Sequence, residues 1–404
     1  MSTKHSKAAA EFLKNKKQAA WHDETLWLVR AKRDRLSKEV PEWEELRNMA
    51  CATKLYSNSH LDELLVEFEN NARANGAHVY WAKDADEYCN IVYNILNQHG
   101  VKHFIKSKSM LAEECELNPF LENKGIEVVE SDLGERILQL MHLKPSHIVL
   151  PAIHIKREQV GELFEREMGT EKGNFDPTYL THAARKNLRQ KFIHAEAAMT
   201  GANFAVASTG EIVVCTNEGN ADMGTSQPKL QIAAFGMEKI VPDRESLGVF
   251  TRLLARSATG QPITTYTSHY RKPREGGELH IIIVDNGRSK ILADQKHIKT
   301  LNCIRCGACM NTCPVYRRSG GYSYTYFIPG PIGINLGMLK APLHYYDNVS
   351  ACSLCYSCSF VCPAKVDLAE QIYLWRQDLD KLGKADRMLS LIHISEPTRP
   401  ERIS

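Results

Sequence analysis

The chain has 404 residues, of which 43% are hydrophobic and 25% are charged, values typical of a globular protein with two or three domains. Its 51 basic and 48 acidic residues leave a net charge of +3, which is too small to favour nucleic acid as a partner. No stretch approaches the roughly 18 to 20 apolar residues of a membrane span, and residues 1–17 lack the apolar core of a signal peptide.

Residues 1–59 are the first predicted unit, an N-terminal helical segment. Phe12, Trp21 and Leu26 recur at near-helical spacing among charged residues, and Pro41 separates this run from a second one. Tryptophans at such spacing pack against a neighbouring domain more often than they bind a cofactor. We therefore expect this segment to pack on the domain that follows.

Residues 60–292 alternate between helical stretches and short apolar runs, a pattern that predicts an α/β domain with a mostly parallel sheet covered by helices. The domain contains no Walker loop and no Gly-x-Gly-x-x-Gly motif between a strand and a helix, so we expect neither a nucleoside triphosphate nor a dinucleotide. The predicted strands are residues 78–81, 103–105, 126–129, 147–150, 204–207, 212–215 and 280–284.

Two polar loops that contain glycine follow two of these strands and are the candidate ligand site. Their residues of interest are Thr209, Gly210, Asn217, Glu218, Gly219 and Asn220. Ligands of such sheets bind outside the carboxyl ends of the strands, and glycine lets backbone amides approach a carboxylate or phosphate. Two ordinary turns would have the same composition, so both interpretations stay open. Arg288, after the last strand, could supply a cation, although an exposed turn is the more common role of such a sequence.

The strongest pattern is Cys-x-x-Cys-x-x-Cys-x-x-x-Cys-Pro, which occurs twice and is the bacterial ferredoxin signature. In that signature three cysteines hold one 4Fe–4S cluster and the fourth ligates the other cluster. The spacing thus predicts two clusters, one held by Cys303, Cys306, Cys309 and Cys362, the other by Cys313, Cys352, Cys355 and Cys358. Structural zinc prefers separated pairs of ligands, and disulfides are not expected without a secretory signal.

Residues 293–388 are the predicted helical, ferredoxin-like two-cluster domain. We expect residues 320–333, which are rich in Gly and Pro, to form an ordered loop between the motifs, and residues 366–381 to form a helix. Residues 389–404 follow none of these patterns, so we expect a non-native or truncated tail. The cysteine usage suits a reducing cytoplasm.

Residues 10–388 resemble the lactate-utilisation iron–sulfur protein B family (LutB family) of bacteria. The matching segments are residues 200–203, 216–220, 238–242, 257–261, 285–289 and 329–333, together with the double cysteine motif. The resemblance implies a lactate-utilisation (LUD) domain of the NagB/RpiA/CoA-transferase-like type, followed by a helical ferredoxin-like module with two 4Fe–4S clusters. The family's further C-terminal domain is missing here, so we expect a truncated chain.

The resemblance also implies an iron–sulfur electron-transfer subunit of a cytoplasmic complex that oxidises L-lactate to pyruvate. The implied partners are a second Cys-rich iron–sulfur subunit and a smaller LUD-domain subunit, and the implied ligand is a small 2-hydroxy acid. Two hypotheses stay open beside it: a subunit for another 2-hydroxy acid such as glycolate, and a ligand-binding α/β protein whose clusters sense redox state. No convincing catalytic base is recognisable, since His182, His194 and Glu196 fit surface or core roles better. The catalytic step is therefore expected on a partner.

Overall fold

The computed structural model describes residues 3–384, so the predicted tail at residues 389–404 lies outside the described part. The α-helices are α1 (Lys4–Lys14), α2 (Lys16–Lys38), α3 (Trp43–Ser59), α4 (Leu61–Ala74), α5 (Ala85–Gln98), α6 (Met110–Glu114), α7 (Leu117–Glu122), α8 (Leu133–Met141), α9 (Arg157–Met168), α10 (Pro177–Ile193), α11 (Asn220–Ser226), α12 (Arg244–Thr259), α13 (Arg288–Leu292), α14 (Ala308–Thr312), α15 (Pro314–Ser319), α16 (Gly330–Lys340), α17 (Pro342–Tyr345), α18 (Ser357–Val361) and α19 (Leu368–Lys381). No helix within residues 3–384 is long and apolar enough to cross a membrane.

The strands form two sheets. They are β1 (His78–Ala82), β2 (His103–Lys106), β3 (Glu127–Glu130), β4 (Ala197–Gly201), β5 (Phe204–Val206), β6 (Glu211–Thr216), β7 (Leu230–Gly236), β8 (Ile240–Val241), β9 (Tyr266–Tyr270) and β10 (Glu278–Val284). The larger sheet has the order β1-β10-β7-β4-β2-β3, and its strand pairs are all parallel. This confirms the predicted α/β domain.

The central strand β7 shows why the larger sheet is covered on both faces. Every residue from Leu230 to Gly236 is buried, as expected for a parallel strand between two helical layers. On one face, Tyr88 and Val92 of α5 join a core that includes Ile282 of β10. On the other face, Phe68 of α4 packs edge-to-face on Phe235, with ring centroids 5.1 Å apart. The carboxyl ends of the strands are thereby left as the open edge for a site.

The smaller sheet has the order β8-β5-β6-β9 and was not predicted as a separate layer. Strand β5 pairs antiparallel with β6 and parallel with β8. Phe204 of β5 packs against Phe250 of α12, with ring centroids 5.2 Å apart, and this contact seats α12 on the sheet. Asp243 begins α12 as its N-cap by accepting a hydrogen bond from the Ser246 amide at 2.7 Å.

The N-terminal helices connect the sheet domain to the cysteine-rich helices. Helix α2 packs against α12 on one side and against α14 and α15 on the other. Leu26 of α2 is fully buried in the core that also holds Met310 and Tyr316. The expectation that this segment packs on the following domain therefore holds, and the segment contacts the cysteine-rich helices as well.

Two local predictions were wrong. Residues 147–150 form bends instead of a strand, because the Nδ1 atom of His147 accepts hydrogen bonds from the amides of Val149 and Leu150, both at 3.0 Å. The segment predicted as a loop at 320–333 ends inside α16, which begins at Gly330. Pro331 is tolerated there because the first turn of a helix does not need its amide.

Candidate functional site

The two cysteine motifs adopt the same backbone path. Arg305 and Leu354, each two residues after the first cysteine of a motif, have left-handed φ angles of 61° and 52°. Their amides donate to the Sγ atoms of Cys303 at 3.4 Å and of Cys352 at 3.3 Å. Such left-handed positions turn consecutive amides inward, which produces a concave donor surface suited to an anionic sulfur cluster.

The third and fourth cysteines of each motif are placed by a short helix. Cys309 lies in α14 and Cys358 in α18, and these two helices pack against each other. The fourth cysteines follow directly as the C-cap residues of the same helices, in extended conformation. Their Sγ atoms also accept amide hydrogen bonds, Cys313 from Tyr316 at 3.5 Å and Cys362 from Val366 at 3.4 Å.

The electrostatic neighbours of the thiols connect the two motifs, and the neighbours of Cys309 come from both of them. Burial, and then the charge of Cys362, raises the pKa of the Cys306 thiol to about 12, and Cys303 adds to the effect. Burial likewise raises the pKa of Cys313 to about 11, with a contribution from the charge of Cys352. The fourth cysteine of each motif thus lies near thiols of the other motif, as crossed ligation requires. The assignment of each ligand stays a prediction.

Arginines from the N-terminal helices hold the peptide groups around the second motif. Arg47 of α3 donates to the carbonyl oxygens of Phe360 and Cys362, and Arg33 of α2 donates to that of Val361, all at 2.9 to 3.0 Å. The carbonyl groups at the end of α18 are thereby paired, so the backbone that carries Cys362 is fixed from outside its own motif.

A cavity of about 330 Å³ lies at the carboxyl edge of the larger sheet. Loops after β2, β4, β7 and β10 contribute to it, together with α12 and the first cysteine motif. Cys306, a predicted cluster ligand, is one of its lining residues. A cavity of this volume is at the small end of the range that binds organic ligands. The cavity and the first cysteine motif therefore share a wall.

The end of the cavity near Cys306 is rich in cations. Arg288 is paired with Glu114 at 2.9 Å and with Glu238, and it also donates to the Asp285 carbonyl at 3.0 Å. Arg305 reaches Glu238 at 3.7 Å, but its Nη1 atom is buried without a hydrogen-bond partner. Lys239 also lines this end. Burial lowers the pKa of Lys239 to about 8, although the charge of Glu238 opposes that shift.

The other end of the cavity carries carboxyl groups. Glu218 accepts a hydrogen bond from the Leu133 amide at 3.2 Å, and Asp132 caps the same helix. Burial, and then the charge of Asp132, raises the pKa of Glu218 to about 7. Because Asp132 follows β3 and Lys239 follows β7, with β4 and β2 between them in the sheet, the cavity has a cationic end and an acidic end.

The structure brings part of the predicted ligand site to this cavity. Asn217, Glu218, Asn220 and Arg288 line it, whereas Gly219 supports it as the N-cap of α11 with a φ of 66°. Asn220 is held by a hydrogen bond to the Ser131 hydroxyl at 3.2 Å.

The other predicted loop lies elsewhere. The Thr209 carbonyl accepts from Asn75 at 2.8 Å, and a Cβ on Gly210 would meet the amide nitrogen of Ala72 at 2.2 Å. Thr209 and Gly210 therefore pack against α4 and are not among the lining residues.

Three further residues noted in the sequence also lie outside the cavity. His182 is within α10 and His194 is its C-cap, while Glu196 accepts from the amides of Lys102 and His103 at the opposite, amino-terminal edge of β2. None of these three lines the cavity in the described part of the chain.

The sequence did not single out two cations of this end of the cavity, Lys239 and Arg305. Lys239 follows β7, a strand that was not predicted, and Arg305 is hidden among the variable positions of the cysteine motif. The signal that could have found Lys239 was its place in the segment 238–242, which carried part of the family resemblance.

Comparison with known proteins supports both halves of the chain. Residues 65–291 match the LUD domain family, and residues 299–366 match the 4Fe-4S dicluster domain family. Lactate utilization protein B of Geobacillus thermodenitrificans is 43% identical over 357 residues, which cover 86% of this chain and 75% of that protein. The uncharacterized electron transport protein YkgF of Escherichia coli K12 is 41% identical over 362 residues, covering 88% and 76%.

A solved structure of a DUF162 family protein from Deinococcus radiodurans covers 55% of this chain and 98% of its own, at 15% identity and a TM-score of 0.32, which is too low to support an argument. The sequence matches by themselves identify the family. Lactate utilization protein B of Bacillus pumilus is 44% identical over 359 residues, 87% of this chain and 76% of that protein. Identity at this level across both domains confirms the resemblance, and the chain therefore belongs to the lactate utilization protein B family of iron–sulfur proteins.

Proposed function

We propose that this chain is the electron-transfer subunit of a complex that oxidises L-lactate to pyruvate, and that it carries two 4Fe–4S clusters. The observation that carries the proposal is the position of Cys306, which belongs to the first cysteine motif and also lines the cavity. A substrate in that cavity would lie beside a ligand of the redox group. The names of the relatives supply the substrate, since they refer to lactate utilization.

The ligands we propose are Cys303, Cys306, Cys309 and Cys362 for one cluster, and Cys313, Cys352, Cys355 and Cys358 for the other. Eight thiols with amide donors at their sulfur atoms fit such clusters, and the crossed electrostatic neighbours support this division. When bound, each cluster supplies one-electron redox chemistry, so a pair accommodates the two electrons of lactate oxidation.

The chain's own residues give this module an inner and an outer side. Cys306 and Cys309 of the first motif are each 8% exposed, and Cys306 lines the cavity, whereas Cys355 of the second motif is exposed. We propose that the second Cys-rich subunit docks near Cys355 and that the smaller LUD-domain subunit completes the complex. The burial of the first group favours electron transfer over redox sensing, which requires access for an oxidant.

The test is made on the anaerobically reconstituted complex with its partner subunits. Excess L-lactate should bleach the visible absorbance of the iron–sulfur groups on this chain, and, with no other electron acceptor present, about one pyruvate should form for every two clusters reduced. The same experiment with glycolate at the same concentration tests the other 2-hydroxy acid. Faster bleaching with glycolate than with L-lactate would identify glycolate as the substrate. Absence of bleaching by either acid, with full iron content, would refute the proposal.

A further inference from the structure

The cationic end of the cavity contains hydrogen-bond donors that no residue in the described part of the chain uses. The ammonium group of Lys239 makes no hydrogen bond and no ion pair with any residue between 3 and 384. The Nη1 atom of Arg305 is buried without a hydrogen-bond partner. Arg288 differs, because its donors are engaged by Glu114, Glu238 and the Asp285 carbonyl. Unused charged donors at a buried site indicate that an anionic ligand belongs there.

The local charge points to the same conclusion. Lys239, Arg288 and Arg305 stand against only two carboxylates at this end, those of Glu114 and Glu238. At this end one cation is therefore without a lining carboxylate of its own, although the charge of Cys303 also acts on Lys239 and Arg305. Lys108 lines the other end with Asp132 and Glu218, so the cavity as a whole has four cations and four carboxylates. Lys54 adds a further positive charge at this end. Its buried ammonium donates to the Glu238 carbonyl oxygen and not to a carboxylate.

The remaining walls select a small, partly apolar acid and orient it. Leu254, Ala255 and Ala258 of α12 supply an apolar wall beside the cations. At the far end Lys108 lies with Asp132 and Glu218, and its ammonium already donates to the Val149 carbonyl at 3.0 Å. The unused donors of Lys239 and Arg305 are therefore the ones left for a bound carboxylate.

We propose that this cavity binds the carboxylate of a small 2-hydroxy acid, and that Lys239 and Arg305 are the residues that hold it, next to Cys306. The choice of a 2-hydroxy acid rests on the proposed function, whereas the anion site rests on the unused donors of Lys239 and Arg305. Lys239 is the better test residue, because Arg305 lies inside the cysteine motif and its replacement would disturb the loop.

The experiment measures L-lactate binding to the full chain after anaerobic reconstitution, by isothermal titration calorimetry. Lys239→Met should raise the Kd for L-lactate at least about tenfold, because a charge-assisted hydrogen bond is lost, and Lys239→Arg should restore most of the affinity. Lys290→Met, which changes an exposed lysine of α13, is the matched control and should alter the Kd less than about twofold. Iron content and absorbance verify that each variant is loaded.

Three outcomes would overturn the site: no L-lactate binding to the loaded wild-type chain, an unchanged Kd in Lys239→Met, or inorganic phosphate binding as tightly as L-lactate. A shift of the midpoint potential in Lys239→Met with unchanged binding would show that the lysine only balances the charge of the iron–sulfur group. Failure of the proposed function would give a different result. L-lactate would still bind, and Lys239→Met would still weaken that binding, but L-lactate would not reduce the assembled complex. The protection of the chain by L-lactate against thermal unfolding is a second readout, and it should be lost in Lys239→Met.

Discussion

The Arg47 guanidinium donates two hydrogen bonds to the carbonyl oxygen of Cys362, from Nε at 3.0 Å and from Nη2 at 2.9 Å. Arg47 belongs to α3, far from the cysteine motifs in sequence, and its side chain is only 12% exposed. The conformation of the last cysteine of the second motif thus depends on the N-terminal helical segment. Hydrogen bonds to charged groups of this kind typically stabilise a fold by about 1.5 to 3 kcal/mol.

We expect Arg47→Met to lower the Tm of the loaded chain by several degrees and to accelerate iron loss, because the Cys362 carbonyl loses its donors. Arg252→Met is the matched control: Arg252 pairs with Glu42 on the surface, with half of its side chain exposed, and its loss should change the Tm by less than about a degree. The measurements are thermal unfolding without oxygen and the rate of iron release to a chelator. Equal effects of the two substitutions would contradict the role assigned to Arg47.

If the ligands cross between the motifs, substitutions of cysteines that hold the same cluster should damage the same cluster. Cys362→Ser and Cys303→Ser should damage the same cluster, whereas Cys313→Ser and Cys352→Ser should damage the other. The loaded wild-type chain should contain about eight irons and each variant about four to seven. Electron paramagnetic resonance of the dithionite-reduced proteins identifies which signal is lost. If Cys362→Ser instead resembled Cys352→Ser, each motif would hold its own cluster.

Glu135 predicts a specific pH dependence of stability. It is 4% exposed, and its Oε1 atom has no hydrogen-bond partner among residues 3–384. Burial, reinforced by the charges of Glu130 and Glu113, raises its pKa from 4.5 to about 8. The folded state therefore keeps a proton that the unfolded state loses. The stability associated with this proton is full below the unfolded pKa and falls as the pH rises towards 8, by at most about 1.4 kcal/mol per pH unit.

Glu135→Gln removes this titration and keeps the shape of the side chain. The Tm of the variant should fall less than that of the wild type between about pH 5 and pH 8, and it should exceed the wild-type Tm at the upper end. Glu162→Gln, on an exposed face of α9, should follow the wild-type curve. Parallel curves for Glu135→Gln and the wild type would show that the carboxyl is ionised in the folded protein.

Substitution of Gly210 tests whether its loop serves the packing of the fold or the binding of a ligand. Its φ is 66°, and a Cβ would meet the Ala72 amide nitrogen at 2.2 Å, whereas Gly169 has a φ of 65° and open space around it. Gly169→Ala should cost about 1 kcal/mol for the left-handed backbone alone, and Gly210→Ala should cost at least about 1 to 3 kcal/mol more for the steric clash. Thermal unfolding measures the difference. L-lactate binding by folded Gly210→Ala should be unchanged. If the folded variant lost L-lactate binding, the loop that contains Gly210 would belong to the ligand site after all.

Several elements could be predicted because their signals are local. Helices α4 and α5 lie in the part of the chain where helical stretches were predicted, since each is amphipathic and α5 begins after an aspartate whose side chain accepts from the Glu87 amide at 2.9 Å. The prediction of a strand at 147–150 was wrong although the run is apolar. There the ring of His147 satisfies the amides that a strand would have offered to a neighbour, and periodicity carries no information about such a contact. Strand β7 was not predicted, because its small residues give no alternating pattern.

The sequence by itself determined the cysteine chemistry, the parallel sheet and the family, because ligand spacing and strand–helix alternation act over short stretches of chain. Only the tertiary structure decided which polar loop reaches the cavity. Glu218 and Arg288 line it, whereas Gly210 packs on α4. The physical reason is that parallel strands distant in sequence become neighbours in the sheet, so the loops at their carboxyl ends converge only after folding. Lys239, which follows β7, and Arg305, which lies in the first cysteine motif, likewise line one cavity only in the folded chain.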